Sequence, residues 1–564
     1  MPAQAEKHVP GLAVLVDGSE INPRYRDLLV EVRVRGTLAL PDSAVLRIND
    51  PTGGQVDEVM GVFGIGKDLE VKISPPAENT KTRIFKGQVV ALEPDFGKEG
   101  AEIVIRGLDK GHKLQRQRKV RTFQQVSAAD IVKKLGGDVG LSVDAESTSV
   151  VHEFFQQSAE TDWELISRLA RAEDYRFFVD DNKLVFRDAA TAPEAAVALK
   201  WQETLQSFRP RVSGVQQVQT INMRSWDPKA KQVVNGSATS DTTTSRPGIQ
   251  RGSVSLDLGG GTTLVADRVA TDSGEANAIA KSALGSRADA FVEAEGVAFG
   301  NPDIKAGRKV DISGVGTKLS GTFIVSSATH LYKGASGYST SFQISGRSER
   351  GLLDLMHPPQ KHDWSRHLVI GVVTNNNDPD ETGRVRVKYP SLSDSEESAW
   401  ARVASMSAGN ARGLMMLPQP DEEVIVGFEQ GDTRRPIVLG SLFNGKDKPG
   451  PDLLQNRDGS FALLSNEKGL LHTKKDLEIK SDQKMIVEIQ SDQEIKVQGN
   501  AKQETTGNGS MKAQQLTVEA GSTLSVKGVS VTVEATASLT LKGATVDVQA
   551  SGPLNLKGAI INIG

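Results

Sequence analysis

The 564-residue chain has no cysteine, which excludes disulfides and thiolate metal sites and fits synthesis in a reducing cytoplasm. Nowhere do the roughly eighteen apolar residues of a membrane-spanning helix occur together, and residues 1–20 lack a basic start followed by an apolar run. The reading therefore expects neither a membrane span nor a signal peptide to carry the protein out of the cell. An excess of one charge is also missing: 67 Lys and Arg stand against 71 Asp and Glu, a net of −4. That balance argues against a general binder of nucleic acid or membrane surfaces. Aromatics are scarce at 5% while glycine numbers 55, which suits many short strands and tight turns. The length exceeds what one core supports, so about three to five domains are expected.

What the chain does contain is a repeat. LSVKGVSVTVEATAS from Leu524, LTLKGATVDVQASGP from Leu539 and LNLKGAIINIG from Leu554 restate one unit at fixed spacing, the mark of a β-solenoid. Each unit carries two pairs of apolar residues at alternate positions, so one face of every short strand is built for burial. The inward positions are Leu524, Val526, Val531, Val533, Leu539, Leu541, Val546, Val548, Leu554, Leu556, Ile561 and Ile563. Lys527-Gly528, Lys542-Gly543 and Lys557-Gly558 share one phase, where glycine is expected to serve a corner whose dihedrals a β-carbon would resist. A lone ribbon this narrow leaves its edges and its apolar face on water, and its burial does not offset the entropy of ordering it. Several chains wound around one axis are therefore expected. Three is the economical number, since three ribbons enclose a dry triangular core and pair one another's edges. A single-chain solenoid is the alternative, and it usually needs longer rungs.

Ahead of the repeat the texture changes along the chain. Residues 1–110 alternate as strands of a first β-barrel, with runs such as LLVEVRVRG and GQVVALEP. Residues 111–199 insert two helices, one announced by Ser127 ahead of Ala128 to Leu135, the other by a capping box from Thr161 to Glu164 with Trp163, Ile166 and Leu169 on one face. A hairpin turning at Asp181-Asn182 follows. Residues 200–356 read as a second barrel with an exposed polar loop SATSDTTTS and a helix near Glu275 to Leu284. His357-Pro358-Pro359 marks a linker over 357–367. Residues 368–447 carry five alternating strands, the pattern of a small closed OB-fold barrel. A linker over 448–475 leads to a needle at 476–564. The fold class expected is mainly β: hub β-barrels with a few helices, an OB-fold collar, and a C-terminal intertwined triple-stranded β-helix in a homotrimer.

The block from Val373 to Gly445 has Asp378-Pro379, Gly383-Arg384-Val385, Ala399-Trp400-Ala401-Arg402-Val403, Leu417-Pro418, Glu423 to Phe428 and Gly431-Asp432 through Pro436 to Leu442. It closely resembles the OB-fold of VgrG-type spike proteins, the trimeric central spikes of type VI secretion, contractile phage tails and extracellular contractile injection systems. Thr161 to Phe178, Gly300 to Val315 and Gly321 to Phe342, with Thr329-His330 and Gly337-Tyr338, are similar to the family's hub, which phage late-control tail proteins share. The resemblance implies a structural, non-enzymatic spike. Its hub would start an Hcp-like inner tube among baseplate subunits, and its needle would pass transiently through a target membrane when the sheath contracts. Released or injected with a phage-tail-like particle, it could bring effector cargo. Phage spikes often end in a histidine-bearing metal tip, whereas the last histidine here is His472. A PAAR-like protein is therefore expected to cover the apolar triangle at Ile561, Asn562, Ile563 and Gly564. No fused effector is expected after the needle, and the interval of about thirty residues before it is too short for an enzyme domain.

Signals for chemistry have plainer readings. Gly61, Gly64, Gly66 and Lys67 lack the rest of a phosphate loop and read as a hairpin turn. Gly259, Gly260 and Gly261 read as a flexible connection. Lys113, Arg116, Arg118, Lys119 and Arg121 have no aromatic platform and read as a strand edge or subunit contact, not a nucleic-acid site. Asp378, Asp380 and Glu381 lack the spacing of a calcium loop and read as a turn. No HExxH or GxSxG occurs among the eight histidines and many serines, and no cofactor is expected. Two other classes stay open: a trimeric β-helix tailspike enzyme acting on surface polysaccharide, which would need paired acids in a groove, and a binder using the barrel alone. The second expects exposed aromatics among Tyr389, Trp400, Phe428 and Phe443, of which Trp400 reads as core.

Overall fold

Alternation of apolar and polar side chains builds most of the structure. In the strand Leu29–Thr37, Val32 and Val34 are buried while Arg33 and Arg35 face water. The computed structural model describes Gly11 to Ile563 except 39, 76–79, 99, 190, 192–195, 216, 241–244, 250, 253–257, 335–336, 347–363, 411, 414, 449–452, 456–460 and 465–468. The proline linker at 357–359 and residues 241–244 of the polar SATSDTTTS loop lie outside the described residues. Two units are present, Met1–Pro451 and Asp452–Gly564.

In the first unit an eleven-stranded sheet runs from Leu205–Val212 through Val292–Phe299, Gly337–Ile344 and Ser327–Lys333 to Leu29–Thr37. It continues through Ser43–Asp50, Gly100–Leu108, Thr82–Gly97, Asp68–Ile73, Leu12–Val16 and Ser19–Glu20. Two separate barrels were expected over 1–110 and 200–356, yet one sheet spans both, because Ser327–Lys333 pairs antiparallel with Leu29–Thr37 and sets His330 opposite Val34. That pairing covers an edge that would otherwise be bare. Separate apolar clusters form on the two sides of the join, one around Val14, Leu46, Phe63 and Ile105, the other around Leu199, Phe291, Phe323 and Phe342.

The helical insertion follows its local signals. Ser127 accepts from the Asp130 backbone N–H and opens the helix Ala128–Asp138. Thr161 and Glu164 form a reciprocal capping box at the start of Asp162–Glu173, and Trp163, Ile166 and Leu169 are buried on one face. Asp174, left-handed at φ 64, ends that helix. Asp181 and Asn182, at φ 54 and 61, turn the hairpin between Tyr175–Asp180 and Lys183–Asp188, as a two-residue turn of this hand requires. Farther on, the helix Ser273–Asp289 lies against the strands Thr220–Asp227 and Gln232–Ala238. It approaches so closely that a β-carbon on Gly236 would fall 2.3 Å from the Ala276 carbonyl carbon.

Five strands close a barrel in the order Val369–Asn375, Arg384–Lys388, Ala401–Val403, Pro436–Ser441, Glu423–Phe428. Its interior is Val373, Val385, Val387, Tyr389, Ala401, Val424, Val426 and Val438.

The second unit begins with a small antiparallel sheet of Leu453–Gln455, Phe461–Leu464 and Gly469–His472, inside the stretch expected to be plain linker. From Lys474 to Ile563 every residue is exposed, and no strand pairing occurs among the described residues there.

Candidate functional site

The repeat positions expected to face inward form a long uncovered apolar row among the described residues. Leu524, Val526, Val531, Val533, Leu539, Leu541, Val546, Val548, Leu554, Leu556, Ile561 and Ile563 are all exposed, from 49% at Ile561 to 88% at Ile563. Of the four tip residues, Ile561, Asn562 and Ile563 are exposed and Gly564 lies outside the described residues. The corner glycines differ from expectation. Gly528, Gly543 and Gly558 are not in the left-handed region. Instead, a β-carbon on each would meet the carbonyl oxygen two residues ahead, at 3.1, 3.1 and 3.3 Å. Close backbone approach, repeated once per unit, is what selects glycine here.

A second site was not legible beforehand: a buried ionic joint between the barrel and the hub. Arg434, on the loop between the barrel strands Glu423–Phe428 and Pro436–Ser441, donates to Glu275 Oε1 at 2.7 Å, to Asp432 Oδ2 at 2.7 Å and to His152 Nδ1 at 3.3 Å. Glu275 also accepts from the Thr271 backbone N–H at 2.8 Å. Glu173, the last residue of its helix, sits with Oε1 3.9 Å from His152 Nε2. Burial works against the Arg434 charge, but Asp432 and Glu275 overcome it and raise its pKa further. Burial likewise opposes the Asp432 charge, and Arg434 holds that carboxyl below its usual range. For Glu173 the balance goes the other way: burial, reinforced by Glu275, outweighs the opposing pull of Arg434 and pushes it up to about 7. His152 is lowered by burial and by Arg434, so it stays neutral and accepts the guanidinium N–H. Around this center Gln430 donates to the Ala266 carbonyl at 2.9 Å, Arg435 to the Trp226 carbonyl at 3.0 Å, and Thr122 to Glu396.

Within the hub, His330 is buried and shares Nδ1 with the Tyr338 hydroxyl at 2.8 Å and the Thr340 hydroxyl at 3.3 Å. Burial, with Lys305 adding to it, lowers its pKa to about 3, so it is a neutral cross-strand tie. It borders a cavity of about 20 Å³, water-sized, that Asp42, Asp180 and Lys305 also line. Asp109 accepts the Asp42 backbone N–H at 2.6 Å, and burial pushes its carboxyl up to about 7.

Other chemistry signals resolve into structure. Lys67 donates to the Gly61 and Val62 carbonyls at 2.8 and 3.0 Å, capping the helix Val56–Val62, so this segment is a helix exit and not the hairpin expected. Gly259 turns at φ 74. Three members of the basic cluster pair with carboxylates: the half-buried Lys119 with Asp162 at 2.7 Å and Arg121 with Asp138 at 2.9 Å, and the exposed Arg118 with Glu164 at 3.4 Å. Asp378 accepts from the backbone of Asp380, Thr382 and Arg384, and the Arg384 guanidinium at 2.6 Å occupies the position a cation would take. Among the described residues no group of three His, Cys, Asp or Glu is placed to hold a metal. Trp400 is half-buried, not core; Arg384 and Arg386 lie over its ring at 5.8 and 5.0 Å. Tyr389 takes the core position instead.

A family model described as the Alg8 N-terminal domain matches residues 6–333, more than half of the chain. The chain belongs to the Alg8 N-terminal domain family. A second model, the type VI secretion system/phage-baseplate injector OB domain, matches residues 369–443 of this Alg8-family chain, which is the closed barrel. Relatives include the type VI secretion system spike protein VgrG5 of Pseudomonas aeruginosa, 31% identical over 129 residues that cover 22% of this chain and 16% of that protein. The actin cross-linking toxin VgrG1 of Vibrio cholerae is 25% identical over 173 residues, 27% of this chain and 16% of the toxin. The chain thus spans about a sixth of the length of the curated relatives it matches. Among solved structures, the E. coli c3393 type VI secretion component overlaps 77% of this chain and 100% of its own at TM-score 0.47 and 14% identity. A 43 kDa tail protein of prophage MuSo2 from Shewanella oneidensis overlaps 59% and 98% at TM-score 0.45 and 15% identity. The VgrG-type resemblance of this Alg8-family chain stands on the relatives and on the barrel match.

Proposed function

We propose that three copies of this chain form the central spike of a contractile injection machine. The uncovered apolar rows from Leu524 to Ile563 carry the reading: one chain leaves them on water, and three chains wound about an axis enclose them. Each copy's strands then stack on its neighbors' at about 4.8 Å, which satisfies every backbone donor and acceptor and leaves no lateral edge. A solid, close-packed prism of this kind resists bending and unfolding under axial load, which is what driving a needle through an envelope demands.

In this reading the three hubs are the platform on which a sixfold, Hcp-like inner tube starts within the baseplate, and the barrels form a collar. A PAAR-like protein caps Ile561, Asn562, Ile563 and Gly564, a reading supported by the exposed side chains of Ile561 and Ile563. The role is mechanical, not enzymatic. The protein is made in the cytoplasm, and the assembled phage-tail-like particle is released or injected, with any effector riding on the tip, in the tube or on another subunit.

Val548→Asp tests it. The substitution sets three carboxylates in one dry layer at a cost of several kcal/mol each, enough to abolish trimers. Light scattering is expected to report a folded single chain. A Val548→Asp protein that stays trimeric and resistant to detergent would overturn the assignment of that row to a shared core.

A further inference from the structure

The barrel carries two separate apolar features that nothing in the described residues covers. The first is a face on its outer wall, centered on the strand Glu423–Phe428. Ile370 stands directly opposite Ile425 across the ladder, and Gly427 opposite Ile437. Leu368 and Leu439 flank Gly427, whose absent β-carbon would lie 3.6 and 3.7 Å from their terminal methyls. Leu368, Ile370 and Leu439 are 43 to 62% exposed. The six residues carry no charge, and Gly427 leaves a notch of bare backbone between two leucines.

The second is an arm. Between the strands Ala401–Val403 and Glu423–Phe428 the chain leaves the barrel as a hairpin whose strands are only Ala408–Gly409 and Arg412–Gly413. Met406, Met415 and Met416 on this arm are 56 to 94% exposed. Met415 lies over Gly383, where its methyl would be 3.0 Å from an added β-carbon. A hairpin of two paired residues per strand is not stable on its own and wants a surface to rest on. Methionine, unbranched and adaptable, is the side chain suited to filling an irregular notch.

The barrel's closure fixes where these features lie. In the order Val369–Asn375, Arg384–Lys388, Ala401–Val403, Pro436–Ser441, Glu423–Phe428, the center of the face and the strands beside the arm's root, Arg384–Lys388 and Ala401–Val403, are on opposite walls. Hub contacts use neither: they engage the loop at 430–435, Glu396 and Asp380. Two different apolar patches on opposite walls are what a head-to-tail contact needs, and a head-to-tail contact that closes makes a ring.

We propose that the methionine arm of one copy docks in the Leu368–Gly427–Leu439 notch of the next copy, closing the three barrels into a ring. This rests on the threefold reading of the tail. Winding of the repeat would hold three barrels at high effective concentration, so a second copy meets the notch ahead of any free protein.

Because the natural chain has no cysteine, introduced thiols report without background. The full chain carrying Met406→Cys together with Leu439→Cys is oxidized and run under denaturing conditions, beside each single variant and a Met406→Cys/Ser391→Cys control. Interchain dimers and trimers are expected at least on the order of tenfold above the singles and the control, falling to their level when Val548→Asp is added. Trimeric protein without this product would overturn the arm-in-notch contact and leave the tail reading intact. So would linkage by Leu439→Cys alone, which means face against face. A full chain that is monomeric by light scattering would bring down both readings.

Discussion

The first unit and the tail bury apolar residues by opposite means. The hub and barrel enclose Val14, Phe186, Phe323 and Tyr389 within one chain and hold their seam with an internal ionic joint. The tail from Lys474 onward leaves all its leucines, isoleucines and valines on water. Among its described residues, ion pairs join neighbors two apart, Glu478 with Lys480, Glu494 with Lys496 and Lys502 with Glu504. Such exposed pairs contribute little. One region buries its apolar residues within a single chain, and the other does so only under the proposed association of three copies. Damage to one should therefore leave the other standing.

The largest effect expected from breaking the first unit alone is at Arg434. Arg434→Ala leaves the buried Glu275 and the half-buried Asp432 without their cation, a situation that costs up to about 3–5 kcal/mol. Calorimetry of the full chain should show the hub–barrel transition falling by many degrees while the detergent-resistant tail trimer persists. Loss of both together would show that the regions are not independent.

A smaller, pH-dependent effect sharpens the same point at Glu173. Its folded pKa is raised to about 7, so between about pH 4.5 and 7 the folded chain keeps a proton that the unfolded chain releases. Stability from this group is present in full below about pH 4.5, is lost as pH rises toward 7, and changes no further above it. Glu173→Gln has no proton to lose, so it should match wild type near pH 4.5 and exceed it by at most about 3 kcal/mol at pH 8. Melting curves at pH 5 and pH 8 check this. A variant whose advantage does not grow with pH would mean that His152 or Arg434 already neutralizes the carboxylate.

How much of this was visible in the sequence divides along similar lines. Short-range chemistry was legible: the Ser127 cap, the Thr161–Glu164 box and the Asp181-Asn182 turn each lie within a few residues and depend on nothing distant. The barrel was legible too, since its strands follow one another between clear turns. The joint was not, because His152 and Arg434 are 282 residues apart and neither carries a local signal of its partner. Gly431-Asp432 drew notice only as part of a family pattern, and its service as an anchor depends on Glu275 from a distant helix. The join of the two sheet halves through His330 was hidden for the same reason: alternation tells which face of a strand is buried, not which strand lies beside it. Trp400 was misjudged because a tryptophan in an alternating strand reads as core, while two arginines across the ladder can cover its ring as well.

The smallest effect belongs to the tail's glycines, and it tests whether close backbone approach is what the repeat requires. In Gly528→Ala, Gly543→Ala and Gly558→Ala the new methyl meets a carbonyl oxygen at 3.1 to 3.3 Å, so the backbone must give by a few tenths of an ångström. None of these glycines has a left-handed φ, so no dihedral strain is added, and alanine restricts the unfolded chain. The two effects oppose each other, and each substitution is expected to cost under about 1 kcal/mol per chain. In a trimer that cost recurs three times in one layer, which should lower the melting temperature of the detergent-resistant species by a few degrees and leave the hub–barrel transition unmoved. A drop as large as that of a buried charge would mean that these positions turn a sharper corner in the assembled needle than in the single chain.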